Sequence, residues 1–224
     1  MSVFEAVFRC AELAVPAAFL VHGPSGEMTL DPAVWCRDDV PGDATLIEAC
    51  TGPTLDVGCG PGRLTAALAG AGRVALGIDL SAAAIRLARR RGATVLRRDV
   101  FDPLPGTGRW EHVLLADGNI GIGGDPPRLL DRCRRLLTRD GRLHLELAPP
   151  GTPTWAGPAT ATWSRPAPAM AAGPGGARRG AEVAALAWAS VAADALDDLA
   201  AVSAMRVLRT WTEAGRWFAT LTPR

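Results

Sequence analysis

The chain has no Lys and no Tyr, so all 24 of its basic residues are Arg. Against 23 acidic residues they leave a net charge of +1, which gives no basic excess for a nucleic-acid backbone. The chain also has no apolar run approaching the roughly 20 residues that span a bilayer. Glu5, Arg9 and Glu12 interrupt the N-terminal apolar residues, so no clean signal-peptide core is present. The five cysteines, Cys10, Cys36, Cys50, Cys59 and Cys133, are odd in number and contain no C-x-x-C pair. This spacing suggests neither a zinc site nor a disulfide framework, and it suits a reducing cytosol. The abundance of Ala, Gly and Pro reads as a genome-composition effect. At 224 residues the chain has room for one domain with a short appendage. A cytoplasmic protein without a membrane partner is expected.

What is present centres on Leu55-Asp56-Val57-Gly58-Cys59-Gly60-Pro61-Gly62-Arg63-Leu64-Thr65. An apolar run ends in an acid, three glycines follow at alternate positions, and a helical pattern begins. A strand, a tight turn and a helix start in that order are expected to converge backbone N–H groups on a nucleotide-like ligand. Asp79, one strand later, is placed to hold a ribose.

The pattern from Thr54 to Glu146 alternates between strands and helices. Strands are expected over 54–57, 74–78, 94–97, 112–116 and 142–147, and helices over 63–69, 82–91 and 127–137. Ser81 is a candidate N-cap, Gly92 a candidate C′ residue, and Asp140-Gly141 a turn. The fold class expected is α/β: a Rossmann-like, doubly wound, mostly parallel sheet of seven strands. Met205–Thr212 and Arg216–Leu221 supply its C-terminal antiparallel hairpin. Residues 1–50 are expected to form a helical or irregular cover, with helix around Phe4–Ala14 and Leu46–Cys50. Residues 51–224 would be the ligand-binding domain. Within it, the Pro/Gly/Ala-rich stretch 149–180 reads as a flexible insertion, either a plain linker or a mobile cover, and 182–204 as partly helical. Asp56, Asp79, Asp99 and Asp117 all fall at strand ends on the edge where such sheets bind ligands.

These residues resemble the core of a class I S-adenosylmethionine-dependent methyltransferase. Asp56-Val57-Gly58-Cys59-Gly60-Pro61-Gly62 is similar to its first motif, Gly77-Ile78-Asp79-Leu80-Ser81 to its second and Arg98-Asp99-Val100 to its third. Leu114–Gly121 corresponds to the fourth in position, and Arg139–Leu143 to the turn before strand five. The likeness covers residues 54–147 and, more loosely, 183–224. It extends to actinobacterial small-molecule enzymes of this type. The G-x-G-x-x-G spacing of a nicotinamide dinucleotide site fails, because its last glycine position is Arg63.

The resemblance implies S-adenosyl-L-methionine as cofactor and S-adenosyl-L-homocysteine as product. It implies that Asp56 holds the ligand's ammonium, directly or through water, while Gly58, Cys59 and Gly60 allow close backbone approach. Asp79 would accept from both ribose hydroxyls, Leu80 would pack on adenine, and Asp99 would accept from the adenine amino group. The Val100 N–H would donate to a ring nitrogen beside Phe101, and Ala116 and Asp117 would lie near the sulfonium. Cys59 is read as a small buried residue in preference to a reactive thiol.

Methyl transfer needs a base for some acceptors and none for others. Asp117, Asn119 and Glu146 are the candidate catalytic groups. Each has a plain alternative: Asp117 holding the cofactor, Asn119 serving the turn, Glu146 pairing with an Arg. His112 sits at the wrong end of its strand, His144 reads as a core residue, and His22 lies in the region that would cover the cofactor. The stretch Asp117-Gly118-Asn119-Ile120 lacks the two prolines and the aromatic that amino-methylating DNA enzymes place there. Arg89-Arg90-Arg91 and Arg134-Arg135 read as solvated helix ends. The C-terminal Trp residues line an acceptor pocket or fill a core. The expected function is methylation of a small molecule at O, N or C by a monomer or homodimer, without nucleic acid or a metal. A cofactor-binding sensor or partner subunit without turnover is the alternative, and a nicotinamide oxidoreductase a third reading.

Overall fold

The computed structural model describes residues 3–13, 18–164 and 182–224. Two sheets account for the strands. In the N-terminal region are α1 (Val3–Glu12), β1 (Ala18–His22), β2 (Glu27–Leu30), α2 (Pro32–Trp35) and α3 (Asp43–Ala49). The central region runs β3 (Thr54–Val57), α4 (Arg63–Gly70), β4 (Ala75–Asp79), α5 (Ala82–Arg90), β5 (Val95–Arg97), β6 (Trp110–Leu115), α6 (Pro126–Leu136) and β7 (Leu137–Leu147). The last third holds β8 (Trp155–Ser164), β9 (Glu182–Ser190), α7 (Leu196–Val202), β10 (Met205–Glu213) and β11 (Arg216–Pro223).

The seven-stranded sheet has the order β10-β11-β7-β6-β3-β4-β5. Neighbours from β7 to β5 are parallel, and β11 lies antiparallel to both β7 and β10. This is the expected doubly wound sheet with a terminal antiparallel hairpin. Side chains alternate faces along a strand, and β6 shows it. Val113 and Leu115 pack with Leu129, Leu130, Cys133 and Leu136 of α6. Leu114 packs on the other face with Leu46 of α3 and Leu64 and Leu68 of α4. The strands are buried from both sides, which is why they read as continuous apolar runs. Ser81 caps α5, its Oγ accepting from the Ala84 N–H at 3.1 Å, and Gly92 takes φ +82° just past the helix end.

A second, antiparallel sheet has the order β2-β1-β8-β9. It packs with α1 around Phe8, Phe19, Trp155, Trp163 and Trp188. Several expectations are corrected here. Residues 18–22 and 27–30 form strands inside the N-terminal cover. Residues 155–164 are a strand, not linker, while 165–180 lie outside the described residues. Residues 182–190 are a strand where Ala-rich sequence favours helix, because pairing with β8 along nine residues overrides local propensity. Asp140-Gly141 does not interrupt a strand: β7 runs through it, and the irregularity appears as a register shift opposite Trp110 and His112.

Candidate active site

The β3–α4 connection is built on glycines that meet their neighbours at close range. Gly58 has φ +71°, and a Cβ there would come within 2.8 Å of the Asn119 amide. Gly60 has φ +52°, and its Cβ would meet the Phe8 ring at 3.2 Å. No side chain fits either position without displacement. The donors of this turn do not converge on a ligand, which corrects the expectation from sequence. The Gly58 and Cys59 N–H groups both donate to the Ile78 carbonyl, at 2.9 and 3.0 Å, and the Gly62 N–H donates to the Cys59 carbonyl at 2.9 Å. The Gly60 N–H donates to Asp79 Oδ2 at 3.0 Å. Pro61 has no N–H to offer. The N–H groups of Gly58, Cys59, Gly60 and Gly62 are thus all taken up by the protein, and these glycines offer close backbone approach instead of donors.

A cavity of about 690 Å³ opens at this edge of the sheet. Every sequence-predicted cofactor residue, Asp56, Gly58, Cys59, Gly60, Asp79, Leu80, Asp99, Val100, Phe101, Ala116 and Asp117, lines it. Asp79 is fixed by two backbone donors, Gly60 on Oδ2 and Ser81 on Oδ1 at 2.7 Å. Each carboxylate oxygen has a further lone pair for a ligand hydroxyl. Burial raises the Asp79 carboxyl above its ordinary value against these hydrogen bonds. Asp99 Oδ1 accepts from the Phe101 N–H at 2.9 Å. Leu80, an apolar side chain, is 58% exposed beside them. Asp56 lies at the cavity floor, 2% exposed, with Thr65 Oγ1 donating to its Oδ2 at 2.6 Å. Burial pushes its carboxyl up to about 7; the Thr65 hydrogen bond opposes this, and the charges of Asp117 and Asp79 add to it. Burial also holds the Cys59 thiol well above its ordinary value, so it is no nucleophile at neutral pH.

A cover from residues 1–50 was legible in the sequence, but the residues that form the roof and one wall of this cavity were not. Phe4 and Phe8 of α1, Trp35 of α2 and Trp188 of β9 close it as an aromatic group, with ring centroids 5.0 to 6.5 Å apart. Arg98 and Arg128 flank the far end, Arg128 lying over the Phe101 ring at 4.1 Å. Glu5 anchors α1 by accepting from Ser81 Oγ at 2.7 Å and from the Ala83 N–H at 3.2 Å.

The three candidate catalytic side chains are close together, and each is held by the protein. Asn119 Nδ2 donates to the carbonyls of Val57 and Gly58, both at 3.0 Å. Glu146 accepts from Arg216 Nε at 2.9 Å, from Arg216 Nη2 at 2.8 Å and from the Asp117 N–H at 2.7 Å. Asp117, at φ +53°, accepts from Arg63 Nη2 at 2.6 Å and from Arg216 Nη2 at 3.2 Å. Asp43 pairs with both arginines, its Oδ1 lying 2.7 Å from Arg216 Nη1. Burial raises the Asp117 carboxyl, and Arg63 opposes it most strongly. Arg63 and Arg216 carried one signal each in the sequence. A cation at the first position of a helix opposes the helix dipole, so Arg63 needs compensation from elsewhere. Arg216 starts the last strand beside the same sheet edge, but nothing local names its partners.

A second cavity, about 400 Å³, adjoins the first; Trp35 and Asp117 line both. Met28 and Val34 from the cover, Ile120 from the segment after β6, and Leu147 and Val191 form much of its apolar wall.

His22, by contrast, lines neither cavity: it bonds Glu27 at 2.8 Å and Thr162 at 3.2 Å on the second sheet. His112 and His144 form a buried chain. The Thr51 N–H donates to His112 Nε2 at 3.1 Å, so His112 carries its proton on Nδ1 and donates to His144 Nε2 at 3.0 Å. His144 Nδ1–H then donates to Thr220 Oγ1 at 2.9 Å. Cys50 Sγ is close enough to join them around a metal ion, but the ring nitrogens are already paired with protein.

Residues 54–141 match the model of a family described as methyltransferase domain. No curated protein matches the chain. Among solved structures, a SAM-dependent methyltransferase from Bacteroides fragilis in complex with S-adenosyl-L-homocysteine is 18% identical, with a TM-score of 0.71. That match covers 98% of this chain and 94% of that one. The CcbJ methyltransferase from Streptomyces caelestis is 16% identical at a TM-score of 0.60, covering 83% of this chain and 94% of that one. The sugar N-methyltransferase KedS8 from Streptoalloteichus is 20% identical at a TM-score of 0.56, covering 80% and 83%. At these identities the likeness is one of fold.

Proposed function

We propose that this chain, which carries a class I S-adenosylmethionine-dependent methyltransferase domain, transfers the methyl group to a small-molecule acceptor. The observation that carries the acceptor class is the second cavity. At about 400 Å³ it has the size of a small-ligand pocket, and it meets the first at Trp35 and Asp117. The small-molecule reading is also the one that suits the likeness to a sugar N-methyltransferase. The residues of the first cavity fit the cofactor: a ribose-type acceptor at Asp79, a largely exposed apolar side chain at Leu80, and a glycine turn that a Cβ would block. When bound, S-adenosylmethionine supplies a methyl group on a cationic sulfur leaving group.

In this reading Asp79 accepts from both ribose hydroxyls, Asp99 from the adenine amino group, and the Val100 N–H donates to the ring. Leu80 and Phe101 enclose the base. Asp56 holds the ammonium. Arg63, a lining residue of this cavity whose guanidinium is paired with Asp43 and Asp117, supplies positive charge near the ligand's carboxylate. Asp117, Asn119 and Glu146 act as positioning residues, since their polar atoms already serve the loop, the arginines and one another. Rate then comes from alignment and the exclusion of water by Phe4, Phe8, Trp35 and Trp188. The protein works in the cytosol as a monomer or homodimer, with neither nucleic acid nor membrane as partner. Its five cysteines are free, and no described helix is long and apolar enough to cross a membrane.

Incubation with labelled S-adenosylmethionine and separate panels of small molecules, DNA, RNA and protein tests this reading. Label is expected in small molecules. Label confined to a macromolecule, or cofactor binding with no product from any panel, overturns it.

A further inference from the structure

Resting on the small-molecule reading above, we propose that the second cavity takes a cationic, amine-bearing acceptor and that its nitrogen is the atom methylated. The cavity wall is mainly apolar, and its charged residues are Glu27, Asp31, Asp117 and Glu146. All four are carboxylates, and no Arg or His lines it. His22 lies 2.8 Å from Glu27, but the charges behind the wall do not cancel this sign. Asp43, Asp117 and Glu146 carry three negative charges against the two positive charges of Arg63 and Arg216, leaving one in excess. Trp35, at the junction of the two cavities, adds an aromatic surface of the kind that attracts cations.

Acceptor classes differ in how charge moves during transfer. A carboxylate acceptor brings a negative charge into an acidic cavity and finds no cation there to meet it. A hydroxyl acceptor needs a base, and the carboxylates deepest in this cavity, Asp117 and Glu146, are engaged by arginines. An amine gains positive charge as it reacts. The ammonium first gives its proton to water at the cavity mouth. The nitrogen lone pair then forms the new N–C bond while the C–S bonding pair stays on sulfur. Positive charge leaves the sulfur and arrives on nitrogen, beside the acidic wall. Measured from the neutral amine that reacts, an interaction that strengthens in this direction lowers the barrier of the transfer step, while the same wall holds the incoming ammonium.

Matched amine, alcohol and carboxylate forms of phenyl, cyclohexyl and hexose skeletons test the proposal. They are titrated calorimetrically into protein saturated with S-adenosylhomocysteine, and parallel reactions are analysed by mass spectrometry. The amine form is expected to bind at least tenfold tighter than the alcohol, the carboxylate not at all, and the product to be N-methylated. Glu27→Gln is expected to weaken amine binding about threefold, since that side chain is solvent-exposed. Met28→Trp fills the cavity and is expected to abolish amine binding while leaving S-adenosylhomocysteine affinity unchanged. Methylated alcohol or carboxylate without amine product overturns the amine assignment and leaves the small-molecule reading standing. Amine binding that survives Met28→Trp places the acceptor elsewhere and overturns the proposal. No binding and no product in any class, with S-adenosylhomocysteine bound, overturns both.

Discussion

Asp56 shows how a binding residue weakens the fold that carries it. Its carboxyl is fully buried and pushed up to about 7, mainly by burial, from an ordinary 3.8. The native state therefore holds more protons than the unfolded chain between about pH 4 and pH 7, and stability falls as pH rises through that window. An ammonium bound beside Asp56 would compensate the charge. Asp56→Asn keeps an oxygen for the Thr65 hydroxyl and removes the buried charge. It is expected to raise unfolding stability at pH 8 by an amount on the order of 2 kcal/mol in urea melts, while weakening S-adenosylhomocysteine about tenfold. A variant less stable than wild type at pH 8 would contradict this. At this scale much of the site was legible. Asp56, Asp79 and Asp99 stand at strand ends in the sequence, and the cavity receives all of them. Arg63 stood out in the sequence as a cation at a helix start and as the residue that breaks a dinucleotide spacing, but its partners Asp43 and Asp117 lie in other segments and could not be named.

Among the elements, β6, β7 and β11 are cross-linked on one face by His112, His144 and Thr220. Burial lowers both histidines from the ordinary 6.5, His144 to about 3. The unfolded chain takes up protons first as pH falls below about 6.5, so stability is lost between there and the lower native values. Wild type is expected to lose about 2 kcal/mol from His144 alone between pH 7 and pH 5. His144→Leu starts less stable at pH 7, because it leaves the His112 Nδ1–H and the Thr220 hydroxyl without a partner, but its stability should vary less over the same interval. Urea midpoints at the two pH values check this, and equal slopes in both proteins would sink it. The strand–helix alternation of β3 to β7 could be read from sequence, because its signals are local: apolar runs, the Ser81 cap, the Gly92 stop. The second sheet could not. It pairs 18–22 with 160–164, partners about 140 residues apart, and one of its strands is Ala-rich sequence with helical propensity.

The molecule as a whole is assembled around the ion network. Arg216 of β11 holds Asp43 of α3, Asp117 after β6 and Glu146 of β7, and Arg63 of α4 joins two of them. Five parts of the chain thereby meet at the boundary between the two cavities. Removing one partner of a buried network leaves the others uncompensated. Arg216→Met keeps an apolar stem over Phe218 and is expected to cost about 3–5 kcal/mol in urea unfolding. A loss under 1 kcal/mol would show that the network carries little. The account as a whole depends on the carboxylates of one sheet rim gripping an adenosyl ligand beside the glycine turn. Calorimetric titration of S-adenosylhomocysteine into wild type and Asp79→Ala tests it most directly. The account predicts one site per chain with a Kd on the order of micromolar for wild type, and at least a tenfold loss in the variant with the fold intact. No heat with wild type, or equal affinity in the two proteins, would contradict it.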